Sequence, residues 1–154
     1  CQDNLVSWLD WSLLQKHQEL HSFVQYMIAF RKRHPAIRMD LPSDRFSFPP
    51  MSVHGIHPWE PLSGQDSHIL CVLFSGFDKG QEIQDTVYMA INSGWEPATL
   101  VLPDLPFEWG WHIAVNTGDP ERTIFPDDQM PLVNHSVLLG ERSVILFIVK
   151  RKSA

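Results

Sequence analysis

Three kinds of side chain in this sequence have chemistry to offer: eight histidines, eighteen carboxylates and six tryptophans. His17 and His21 stand four apart, a spacing that on a helix turns two imidazoles toward one metal ion. A zinc-protease helix needs Glu directly after its first His, whereas here Gln18 follows and Glu19 comes one place late. Leu20, directly before His21, also excludes the inverted form of that motif. His54 and His57 lie close together in HGIH, but no cysteine or second histidine pair stands at finger-like spacing. The spacing therefore predicts no metal site. No cofactor is predicted either, since Gly94, Gly110, Gly118 and Gly140 are isolated turn glycines, not a phosphate loop or dinucleotide fingerprint. Ser75 precedes Gly76 at a strand end with no nucleophile elbow around it. Cys71 lies in the apolar run Ile69–Phe74 and reads as a buried, inert thiol.

The carboxylates give no pair. Glycoside hydrolysis needs two of them about 5–10 Å apart across a sugar bond. Asp78, Glu82, Asp85, Glu96, Asp104, Glu108, Asp119, Glu121, Asp127 and Asp128 fall nearly all in turns, where solvation explains them. The tryptophans are more informative, because an indole combines apolar area with a polar edge and stacks well on a sugar ring. Trp95, in a turn beside an apolar strand, is a candidate sugar platform, with packing at the core edge as the simpler reading. Trp109 and Trp111 are spaced by two, share one face of a strand and read as packing. Trp8 and Trp11 read as anchors that fix a loop to a barrel or sandwich surface.

These residues have to be positioned by a single ordinary domain, or by one domain plus a fragment of another, in 154 residues. The net charge of −6 gives no footprint for nucleic acid. No apolar run approaches the roughly 18 residues of a membrane span, so no membrane partner is expected. Two cysteines and no signal-peptide pattern point to a reduced, cytoplasmic protein. The chain opens on Cys-Gln-Asp-Asn without an initiator methionine and is expected to be cut from something longer.

The period of the apolar residues sets the elements. Leu13, Leu20, Val24, Met27 and Ile28 form a helical stripe between Ser12 and His34, ending at Pro35. Ser12 with Gln15 fits a capping box, and a start nearer Lys16 after a bend fits equally. Prolines 35, 42, 49, 50, 58 and 61 mark a connector, in which only Ser52–Ile56 looks like a strand. Strand-length runs follow at His68–Phe74, Thr86–Ile91, Thr99–Leu102, Trp111–Val115, Val137–Leu139 and Val144–Val149. With no helix between them they predict an antiparallel β-sandwich. Val87–Ile91 and Thr99–Leu102 read as a hairpin about the turn Asn92–Pro97, and residues 116–131 read as a long polar loop. The boundary between helix and sandwich is expected between Asp40 and Val53.

Five stretches then appear in one order: CQDNLVSWLDW, YMIAFRKRHPAIR, VHGIHPWEP, VYMAINSGWEPATLVLP and SVILFIV. Together they resemble the C-terminal part of a glycogen debranching enzyme of the isoamylase type, in the α-amylase superfamily of glycoside hydrolases. The resemblance implies that residues 1–45 are a remnant of a catalytic β/α barrel (a loop, the final helix and a connector). Residues 46–154 would be the C-terminal β-sandwich. A whole barrel takes roughly 200 residues or more. The catalytic carboxylates would therefore lie outside this chain, which alone would not be an enzyme. The implied parent cleaves α-1,6-glucosidic branches of glycogen or a related α-glucan, and the sandwich braces its barrel. The implied partners are that barrel and, through the intact enzyme, the glucan. Gln2, Asp3 and Asn4 would lie near the substrate groove. An independent carbohydrate-binding module using Trp95 is the alternative. The helix, without its barrel, is expected to offer a face for self-association.

Overall fold

The computed structural model describes residues 3–38, 41–42, 46–60, 68–78 and 83–152. Val, Ile, Leu and Phe are concentrated in short runs along the second half of the chain, and these residues fit a pleated, packed surface. They build eight strands: β1 Met51–His54, β2 Ile69–Asp78, β3 Ile83–Asn92, β4 Ala98–Val101, β5 Trp109–Asn116, β6 Leu132–Val133, β7 Ser136–Leu139 and β8 Ser143–Arg151. Six of them form one sheet in the order β1-β2-β3-β8-β5-β6, and β4 pairs with β7 in a second. Every pairing is antiparallel. The fold is thus mainly β, with a long helix before it, as the apolar runs predict.

The core follows from the register. Tyr88 on β3 stands between Leu73 on β2 and Phe147 on β8, and Ala90 stands between Cys71 and Ile145. All six side chains are fully buried, as are Leu100 and Leu139 of the second sheet. On the opposite face of β3, Val87 and Asp85 are buried too. A strand buried on both faces reads as a continuous apolar run and not as an alternation. That is why these strands are conspicuous in the sequence while the direction of their faces is not. A bulge at Ala114 interrupts β5 between Ile113 and Val115.

The hairpin expected between Val87 and Leu102 does not form. Thr99–Val101 belong to β4, which pairs with β7 in register Thr99↔Leu138, while β3 pairs with β2 and β8. The segment 93–97 carries the chain from one sheet to the other. The loop 116–131 is also more ordered than its polar composition suggests: Phe125 and Met130 are buried in it, and Ile124 bridges to Val115.

The chain divides into two compact units, 1–33 and 34–154. In the first, α1 is Leu13–Lys16 and α2 is Gln18–Arg33. His17 breaks the run with φ −116° and ψ 34°. The long helix thus takes the later of the two starts that the sequence leaves open. The capping box is absent because Ser12 is itself in a helical conformation and its hydroxyl bonds Asp10 Oδ1 at 2.6 Å. Arg31, Lys32 and Arg33 occupy the last turn, where cations complement the helix dipole. Arg33 lies 5.6 Å from the Tyr26 ring centroid. Much of the apolar surface of this unit faces solvent: Leu5, Val6, Leu9, Trp11, Leu20, Val24 and Ile28 are all exposed, Val6 at 96%.

In the second unit a 3-10 turn, Pro35–Ile37, packs on β2 and β3. Asp85 holds it there. One carboxylate oxygen lies 2.7 Å from His34 Nδ1 and the other accepts from the Ala36 N–H at 2.8 Å. Both acceptor directions of a nearly buried carboxylate are thereby satisfied, as burial requires.

Candidate functional site

One end of the sandwich carries an ordered turn beside a cleft. The last residue of β3, Asn92, is 2% exposed. Its amide nitrogen donates to the carbonyls of Glu96 (2.8 Å) and Gly140 (2.9 Å), and its Oδ1 accepts from the Gly94 N–H (2.9 Å). Both amide hydrogens and the oxygen are engaged, so the turn 93–97 has one conformation to adopt. Ser93 ties the same turn to the start of β2: its N–H and its hydroxyl both donate to His68 O, at 2.8 and 3.0 Å. Arg142, in the turn between β7 and β8, donates its backbone N–H to Gly94 O at 3.0 Å. Its backbone sits in the left-handed region at φ 45°.

This scaffold presents Trp95 and Glu96. Trp95 is 74% exposed, and the Arg142 guanidinium lies over its ring, 4.4 Å from the centroid. The expected packing of Trp95 at the core edge is therefore not found. The turn crosses between sheets instead of folding back over one, so its tip points to solvent and Arg142, not the core, meets the indole. Beside the turn is a cleft of about 340 Å³, whose walls include His68, Ile69, Trp95, Glu96 and Pro97. His68 and Glu96 are exposed. Asn92 was legible only as a turn residue, and Arg142 carried no signal at all, because its link to Trp95 spans two turns far apart in sequence.

The other predicted residues are placed as follows. Gln2 lies outside the described residues. Asp3 accepts a hydrogen bond from the Trp8 indole N–H. Asn4 Oδ1 accepts from the Val6 N–H (3.0 Å), and its carbonyl accepts from the N–H groups of Ser7 (3.0 Å) and Trp8 (3.2 Å). Both residues shape a local turn. Trp8 and Trp11 are exposed in this chain. Trp111 is buried and donates from Nε1 to Pro103 O at 2.8 Å, while Trp109 packs edge-on against Phe46, ring centroids 5.4 Å apart.

His54 and His57 lie in different surroundings, and His17 and His21 are both exposed. His57 is exposed and His54 is fully buried. The His54 Nδ1 accepts from the Trp59 N–H (2.7 Å), which leaves Nε2 to donate to Ser52 Oγ (2.8 Å). Burial lowers the pKa of His54 and keeps the ring neutral, as an acceptor must be. No group of three or more metal-ligating side chains is found among the described residues. Cys71 and Tyr88 lie together in the core; burial pushes the thiol up to about 11 and the phenol higher still. A thiol so placed is not a nucleophile.

The structure defines a class first: an antiparallel β-sandwich that presents an ordered aromatic turn at one end, preceded by an apolar helical segment. Comparison with known proteins narrows it. The chain is 28% identical over 140 residues to isoamylase 1, chloroplastic, of Oryza sativa subsp. japonica, in a match covering 90% of this chain and 16% of that protein. It is 27% identical over 124 residues to the isoamylase of Pseudomonas amyloderamosa, covering 76% of this chain and 15% of that protein. The isoamylase of Pseudomonas sp. strain SMP1 matches to the same extent. The resemblance to isoamylases read from the sequence is thus found independently. The chain spans 15–16% of the length of these relatives. No protein-family model matches it.

Proposed function

We propose that this chain is a non-catalytic portion of an α-glucan debranching hydrolase, in which the sandwich braces a catalytic barrel that cleaves α-1,6-glucosidic branches. The similarity to proteins named isoamylase supports the parent activity. The observation that carries this reading is the exposed apolar surface of residues 5–28, the segment that the resemblance assigns to the barrel itself. Leu20, Val24 and Ile28 recur along α2 at four-residue spacing and all face solvent. An exposed apolar stripe of this kind belongs against a partner surface, and a barrel of the same parent chain is the partner we assign to it. The one buried carboxylate among the described residues, Asp85, is engaged in holding His34 and Ala36, which supports a structural and not a catalytic use.

The chain alone should release no reducing ends from amylopectin; hydrolysis of α-1,6 branches by the purified chain would refute the reading. No described helix is long and apolar enough to cross a membrane. We assign the parent to the cytoplasm, and the free thiol of Cys71 suits a reducing compartment; the name of the rice relative puts that protein in the chloroplast. The second reading, a sandwich that itself binds carbohydrate, is favoured by one observation, the exposed and ordered Trp95.

A further inference from the structure

We infer that the cleft beside the turn 93–97 is a surface subsite for an α-linked glucan chain, with a glucose ring stacked on Trp95 and its hydroxyls met by Glu96 and His68. The identity of the sugar rests on the proposed debranching parent, whereas the site stands on its own geometry. A pyranose has an apolar C–H face and a rim of hydroxyls, so its binding site needs an aromatic plane beside donors and acceptors. The cleft brings these residue types together: Trp95, Glu96 and His68 all line it. At about 340 Å³ it falls at the small end of the range of roughly 300–1,000 Å³ typical of small-molecule sites.

The indole is also held in place before any ligand arrives. The Arg142 guanidinium lies over one face of the ring, 4.4 Å from its centroid, and a planar indole has a second face for a sugar to stack on. Beneath it, Asn92 fixes the backbone of the turn through Gly94, Glu96 and Gly140. A side chain ordered in advance loses less entropy on binding, which favours affinity from a small contact area. The ligand class follows from charge. Glu96 repels an anion, and the mixture of polar and apolar walls does not suit a purely apolar ligand; a neutral polyol meets both conditions.

The test is a titration of the chain with maltoheptaose, followed by the NMR signal of the Trp95 indole Nε1–H, with cellohexaose as the β-linked control. The expected result is a saturable shift of that signal and of the amides of residues 93–97, with Kd on the order of 1 mM. Trp95→Ala should weaken binding at least about tenfold and Glu96→Gln by a few-fold, both with an unchanged melting temperature. Absence of any shift at Trp95 up to about 20 mM sugar overturns the subsite itself. Binding that Trp95→Ala leaves intact does the same. A preference for cellohexaose overturns the α-glucan assignment, and with it the link to the parent, while leaving the bracing of the barrel to be judged separately.

Discussion

The side-chain amide of Asn92 donates to the carbonyl of Gly140, 48 residues further along the chain, at 2.9 Å. With its bonds to Glu96 and Gly94 this makes Asn92 the knot that joins the turn leaving β3 to the turn entering β8. Trp95 and Arg142 sit on those two turns, so one buried amide sets where an exposed aromatic pair stands.

Asn92→Ala should therefore cost more than one ordinary hydrogen bond. It leaves two carbonyls and one N–H without their partner, and loss of about 2–4 kcal/mol is expected. Urea denaturation checks this. A companion measurement, the fluorescence of Trp95, should show a more mobile indole even under conditions where the variant stays folded.

His34 and Asp85 provide a second long-range tie. Asp85→Asn offers an amide N–H to one of two donors, His34 Nδ1–H or the Ala36 N–H, and cannot accept from both. A destabilisation of about 1–3 kcal/mol is expected, with release of the 3-10 turn visible as faster hydrogen exchange at Ala36. Unchanged exchange there would show that the carboxylate does not hold the turn.

His54 gives the stability a pH dependence. Its ordinary pKa is 6.5 and burial lowers it in the folded state. The unfolded chain therefore binds a proton at higher pH than the folded one. The stabilising contribution is complete above 6.5 and is lost as pH falls through the window between 6.5 and the folded value. His112, lowered chiefly by burial, acts in the same direction. The urea midpoint should fall on acidification below neutrality. His54→Gln should flatten that slope, and an equal slope in the variant would exclude His54 as its source.

Cys71 should resist alkylation in the native chain. Its thiol is fully buried, and its pKa is raised to about 11. Iodoacetamide near pH 8 should label position 71 only after unfolding, as read by peptide mass. Rapid native labelling would mean that the core around Tyr88 opens readily.

The stripe Leu20, Val24 and Ile28 should make the isolated chain associate with itself as concentration rises. Sedimentation velocity should detect this, and Val24→Glu with Ile28→Lys should restore a monomer. A strict monomer in the unmodified chain would contradict an unpartnered apolar face.

The sequence revealed the strands better than their pairing. The runs ending in Phe74, Ile91 and Val149 are apolar on both faces, and that composition made β2, β3 and β8 visible. It could not show that Thr99 pairs with Leu138 instead of folding back on β3, because that pairing, like the bond from Asn92 to Gly140 beside it, joins residues about 40 or more apart in sequence. Leu132–Val133 was too short a strand to leave a pattern. Ser12 looked like a cap, but Asp10 two residues earlier takes its hydroxyl. The same limit applies to the site. Trp95 was identifiable as a residue with sugar chemistry, but its exposure depends on a sheet crossing and on Arg142, neither of which has a local signature.

The proposed role of this segment is to brace a debranching barrel. The most direct measurement uses the isoamylase of Pseudomonas amyloderamosa, with the segment that aligns with this chain either deleted or replaced by this chain. Debranching of amylopectin and the melting temperature are then compared. The account predicts that deletion abolishes activity and lowers the melting temperature, and that the replacement restores both in substantial part. A deletion that leaves activity and melting temperature unchanged, or a replacement no better than the deletion, would contradict it.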